Sequence, residues 1–125
     1  IRNREWATQI KDFSGLRYGK ITPTDIDGFL DFNNKTFIFI EVKHGDSLPP
    51  MGQRLALERL CDACEKSGKN TVVLIASQKS NGDIDVSNSP VVQIRLRGQW
   101  RKPHRPITVR EAIDDFLGCF SHEKG

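Results

Sequence analysis

Apolar positions along this chain fall into alternating helical and extended patterns. Trp6, Ile10 and Phe13 recur at intervals of four and three, which puts them on one face of a helix over Asn3 to Phe13. Asn3 suits the N-cap, Ser14-Gly15 the end, and Glu5 the first turn, where a carboxylate meets the positive end of the helix dipole. Arg17 to Thr22 reads as a short strand or extended approach. Gly28 to Phe32 and Thr36 to Lys43 read as two further strands, the latter rich in β-branched and aromatic residues. Asn33-Asn34-Lys35 between them supplies turn chemistry, because asparagine tolerates positive φ, so the two strands are expected to pair as an antiparallel hairpin. In the third strand Ile38, Ile40 and Val42 point one way, and Phe37, Phe39, Glu41 and Lys43 the other. Both faces are largely apolar, which predicts a central strand covered on both sides.

His44-Gly45-Asp46-Ser47 breaks that strand, and Pro49-Pro50 suits a helix start, where a missing N–H does no harm. The helix is expected to run to about Ser67 and stop at Gly68, with Leu57, Leu60, Cys61 and Cys64 as its apolar stripe. Thr71 to Ser77 is a continuous apolar run. A strand, a helix of this length and a second strand predict a crossover with parallel pairing. A polar loop, Lys79 to Ser89, precedes a strand over Val91 to Arg97 and a basic loop, Gly98 to Pro106, containing Trp100. Thr108-Val109-Arg110-Glu111 has the capping-box pattern and opens a last helix with Val109, Ile113, Phe116 and Leu117 on its apolar face.

The 125 residues, 37% hydrophobic and 28% charged, suit one globular domain, with a core over residues 3–77 and a basic strand-loop-helix over residues 86–120. No apolar run approaches the roughly 20 residues of a membrane span, so no membrane partner is expected. No signal peptide is visible, although the chain starts at Ile1. Cys61, Cys64 and Cys119 are an odd set without framework spacing, which fits a reducing cytoplasm, or host cytoplasm for a viral protein. The Cys61/Cys64 pair lacks a second metal half-site and falls on an apolar helix face, where cysteine acts as a small hydrophobe.

Charge changes the picture at Thr24 to Lys43. Asp27 and Glu41, with thirteen residues between them, flank the predicted hairpin. Adjacent strands lie about 4.8 Å apart, close enough for two carboxylates to hold one cation. Such hard oxygen donors select Mg²⁺ or Mn²⁺. Lys43 shares the face of Glu41 and could orient an attacking water or stabilise developing phosphate charge. An isolated E-x-K is usually a solvated pair, but here it ends a run reading F-I-F-I, where charge needs a partner or a purpose.

The segment D-G-F-L-D-F-N-N-K-T-F-I-F-I-E-V-K resembles the D…E-x-K signature of the PD-(D/E)XK nuclease superfamily, which includes restriction endonucleases, Holliday-junction resolvases and phage or repair nucleases. The resemblance covers about the first two-thirds of the chain. It implies an α/β fold with an αβββαβ restriction-endonuclease-like core, a mixed central sheet flanked by helices, and here a C-terminal strand and helix. It implies that Asp27, Glu41 and the backbone carbonyl of Val42 hold Mg²⁺ or Mn²⁺, and that Lys43 acts on the nucleophilic water. DNA hydrolysis would leave a 5′-phosphate and a 3′-hydroxyl. Glu5 matches a position where some branches carry an extra acid, and Gln53 resembles a glutamine used near the site in some branches. The eponymous Pro-Asp pair is absent, so Asp25 is an alternative to Asp27 as first ligand; Asp27 directly adjoins the strand that pairs with that of Glu41.

Val86 to Arg110 contains no acidic residue, and Arg95, Arg97, Arg101, Lys102 and Arg105 lie there with Trp100. These residues are expected to contact a phosphate backbone, with Trp100 available to stack on a base or, alternatively, capping the core. No base-reading motif accompanies them, so backbone or structure recognition is expected. The leading expectation is a Mg²⁺-dependent DNA endonuclease, with a homodimer as the expected assembly. The alternatives are a non-catalytic nucleic-acid-binding or assembly module with a nuclease fold, and a small phosphoesterase acting on nucleotides.

Overall fold

A computed structural model describes residues 11–45, 51–79 and 82–119. Most of the predicted first helix, with Glu5, and the Pro49-Pro50 pair lie outside the described residues. Lys11 to Phe13 are not helical and lead into a 3-10 turn at Ser14–Leu16.

The described chain is α/β. Five strands form one mixed sheet whose spatial order follows the sequence: β1 (Gly28–Phe32), β2 (Thr36–His44), β3 (Asn70–Gln78), β4 (Val91–Leu96) and β5 (Gln99–Arg101). Two α-helices, α1 (Met51–Lys66) and α2 (Val109–Gly118), accompany it. β1 and β2 are antiparallel, and their turn places Asn33 and Asn34 at φ 58° and 61°. Asp31 Oδ1 accepts the Asn34 amide at 2.7 Å, which holds the turn.

β2 and β3 are parallel from Thr36 opposite Asn70 to His44 opposite Gln78, with α1 in the crossover. α1 ends in a Schellman motif. Gly68, at φ 93°, donates to the Glu65 carbonyl and Lys69 donates to that of Cys64, each at 3.0 Å. Thr71 to Ser77 are all buried, so β3 carries no polar alternation.

Each face of the sheet has its own core. Ile38, Ile40, Val72 and Leu74 pack with Val109, Ala112 and Ile113 of α2. Phe39, Val73 and Ile75 pack with Leu57 and Cys61 of α1. The Cys61 thiol lies 2.9 Å from Thr71 Oγ1, and burial pushes its pKa up, as suits a core cysteine. α2 begins with the expected capping box: Thr108 Oγ1 accepts the Glu111 amide at 3.1 Å and Glu111 Oε1 accepts the Thr108 amide at 2.9 Å. Among the described residues no helix is long and apolar enough to cross a membrane.

Two expectations need correction. Arg17 to Thr22 does not join the sheet. Tyr18 and Ile21 exchange backbone hydrogen bonds of 2.8 and 3.0 Å across Gly19, at φ 64°, so the segment folds back on itself. The fourth strand stops at Leu96, because Arg97 and Gly98 adopt φ 52° and 79°. Two consecutive positive φ values make a tight hairpin turn that returns the chain as β5, where a loop was expected.

Candidate functional site

β2 delivers Glu41 and Lys43 to the end of the sheet from which α1 departs. This is the carboxyl end of the parallel pair, where α/β sheets form ligand crevices. Glu41 is only 3% exposed although it is charged. β1 begins opposite Ile40, so no ladder bond from β1 reaches Val42. The Asp27 carboxylate takes that place, its Oδ2 accepting the Val42 amide at 2.7 Å. In extended backbone the N–H and C=O of one residue point to the same side, so the Val42 carbonyl faces the Asp27 edge as well.

Lys43 Nζ sits 3.6 Å from Glu41 Oε1 and donates to Gln53 Oε1 at 3.3 Å. Gln53, in the first turn of α1, in turn donates from Nε2 to the Asp25 carbonyl at 3.3 Å. One glutamine therefore ties the lysine to the segment preceding β1. Burial raises the Glu41 pKa above the ordinary carboxylate value, and the Asp27 charge raises it further. Gln53 and Lys43 pull in the opposite direction without cancelling the effect. The second Glu41 oxygen, Oε2, is buried without a hydrogen-bond partner among the described residues.

The structure thus brings Asp27, Glu41, Lys43 and Gln53 together. Asp25 takes part through its backbone carbonyl, whereas Asp27 presents its carboxylate beside Glu41. Glu5 lies outside the described residues. Among the described residues no group of three or more His, Cys, Asp or Glu side chains converges. The donors that do converge fit a hard divalent cation: two neighbouring carboxylates, of which Glu41 carries a buried oxygen without a partner among the described residues and has its pKa raised by burial and by the Asp27 charge.

The basic stretch divides. Arg95 is 5% exposed and pairs with Asp62 of α1 at 2.9 Å, which holds its guanidinium protonated despite burial. Trp100 is half-buried against the α1 core, and its indole N–H donates to Glu58. Arg95 is not free to meet a phosphate, which corrects its expectation, and Trp100 takes the core-capping alternative. Arg105 pairs with Asp115 at 3.0 Å but remains exposed. Arg97, Arg101 and Lys102 are exposed, and Arg101 donates to Gln99. Lys102 and Arg105 border an open cleft of about 810 Å³. Sequence reasoning missed the acids Glu58 and Asp62, whose i, i+4 spacing on α1 aims both at β4 and β5. Arg95→Ala is expected to lower stability by about 2 kcal/mol, since it strips one partner from a part-buried ion pair. Urea denaturation measures this, and DNA affinity should not change.

Comparison with protein-family models, with curated proteins and with solved structures finds no match for this chain.

Proposed function

We propose that this chain is a divalent-metal-dependent endonuclease that hydrolyses DNA phosphodiester bonds, leaving a 5′-phosphate and a 3′-hydroxyl. The observation that carries the reading is Glu41: a buried carboxylate with an unpartnered oxygen, set between Asp27 and Lys43 at the mouth of β2. Retaining such a group costs stability unless a cation or reaction uses it. The hairpin, the crossover helix and the parallel strand that follow are compatible with the αβββαβ core of PD-(D/E)XK nucleases. The turn at Arg17 to Thr22 departs from that pattern.

On this reading Asp27, Glu41 and the Val42 carbonyl would hold Mg²⁺ or Mn²⁺. The cation would supply positive charge to the phosphate oxygens and make water a stronger acid. Val42 fixes Asp27 through its amide, and Gln53 fixes Lys43. Lys43, its ammonium shared between Glu41 and Gln53, orients the attacking water and offsets charge gathering on the phosphate. Arg97, Arg101 and Lys102 would steer the nucleic acid electrostatically, and a homodimer would let two sites cut two strands.

A cleavage assay with Mg²⁺ and Mn²⁺ on supercoiled plasmid, linear duplex, junction and single-stranded DNA tests this. Divalent-dependent products that carry 5′-phosphates are expected. Tight binding without cleavage of any substrate would instead favour a non-catalytic nucleic-acid-binding module.

A further inference from the structure

Beside the candidate site lies a cleft of about 590 Å³ between residues 20–25 and the first half of α1. Lys20 and Ile21 form one wall, Leu55 and Arg59 the other, with Gln53 at the boundary with Lys43. Ile21 is 71% exposed and Leu55 38%, so the cleft offers apolar surface to solvent. Lys20 and Arg59 make no ion pair among the described residues. One acid, Asp25, also lines the cleft, leaving its charge at +1 from two cations and one anion. Its backbone carbonyl is already engaged by Gln53.

We propose that this cleft receives an unpaired nucleotide next to the scissile phosphate, so that the substrate is a single strand or a DNA carrying unpaired nucleotides. The proposal rests on the nuclease reading and names its substrate class. Three features converge on one occupant. The volume falls in the range that encloses a small organic group, whereas a duplex is too wide to enter. Lys20 and Arg59, without an ion pair among the described residues, complement a phosphate, and the exposed apolar side chains suit the face of a base. The cleft is continuous with the site, because Gln53 borders the one and holds Lys43 in the other. A base taken from a duplex must first be unstacked and unpaired, a cost that is absent in a single strand.

The test is fluorescence anisotropy of the full chain in chelator. Its probes are end-labelled oligonucleotides: a single strand, the same strand in blunt duplex, and the duplex with an unpaired flap. The single strand and flap should bind at least about tenfold tighter than the duplex. The double variant Lys20→Ala/Arg59→Ala should lose that preference and reduce the slope of log affinity against log salt on single strands by about 0.7 per lost phosphate contact. Lys66→Ala, at the far end of α1, should change neither, and thermal melting should confirm that each variant folds. Equal affinity for all three probes, an unaltered preference in the double variant, or no binding would overturn the proposal. Parallel reactions with Mg²⁺ separate the two readings. Duplex cleavage indifferent to the double variant overturns the cleft and leaves the nuclease standing. Cleft-dependent strand selectivity without cleavage of any DNA does the reverse.

Discussion

Glu41→Gln is expected to reduce DNA cleavage by on the order of a thousandfold while making the metal-free protein more stable. The loss of rate follows from removing a charge placed where phosphate charge must be balanced. The gain in stability follows from burial. Glu41 is almost wholly enclosed, lies beside the Asp27 carboxylate and leaves one oxygen without a partner. A neutral amide of the same shape avoids that desolvation, for a gain of roughly 1 to 2 kcal/mol at neutral pH. The sign can be checked by titration. The folded-state pKa of Glu41 is raised, so the folded protein holds this proton more tightly than the unfolded chain. Its contribution to stability is therefore full below the ordinary carboxylate pKa and is lost as pH rises through the raised value. Glu41→Gln should flatten that decline. Mg²⁺ or Mn²⁺ should raise the melting temperature of the parent chain by mass action and leave that of the variant nearly unmoved. A variant that cleaves at the parent rate, or melts earlier without metal, would refute the site assignment.

Leu57→Ala is expected to have the largest effect on stability, about 3 to 4 kcal/mol, read from the urea midpoint. Leu57 is 2% exposed and packs with Phe39, Val73 and Ile75, clamping α1 to the sheet. A small domain has little stability to spare, so a large part of the population would be unfolded in mild denaturant. The same change should weaken activity in the folded fraction, because Gln53 lies one helical turn before Leu57 and depends on α1 for its placement against Lys43. Leu60→Ala, on a position 40% exposed, should cost far less. Equal losses at the two positions would mean that α1 does not dock through Leu57.

Much of this arrangement was legible before any coordinates. β-Branched and aromatic content marked β2, and the paired asparagines marked its turn with β1. The E-x-K at the end of an apolar run marked the place where Asp27, Glu41, Lys43 and Gln53 meet. Proximity between Asp27 and Glu41 followed from hairpin geometry alone, since antiparallel register is local. The misread parts depend on partners distant in sequence. Tyr18 and Ile21 have strand-like chemistry, but a glycine at positive φ between them closes the segment on itself. Arg95 looked like part of a basic surface because charge was counted along the chain. Only strand pairing between β3 and β4 reveals that Arg95 faces α1, where Asp62 neutralises it. For Trp100 the same distance in sequence hid which of the two alternatives holds: the positive φ of Arg97 folds it back as β5 onto the core.

The unequal span of the two pairings made by β2 has a consequence for the order in which the molecule assembles. β1 meets β2 across residues 33–35, whereas β3 reaches β2 only after residues 45–69 have been closed into a loop. With 25 residues against 3, the loop-closure entropy of the second pairing is larger by roughly 2 kcal/mol. Local hairpins form in microseconds, and long-range parallel pairing is slower. Asp27 and Glu41 should therefore come together early, while still hydrated, and feel each other's charge fully only when α1 and β3 dock and expel water. Electrostatic strain in this centre arises late on the folding route, at the step that a divalent cation would be expected to accelerate.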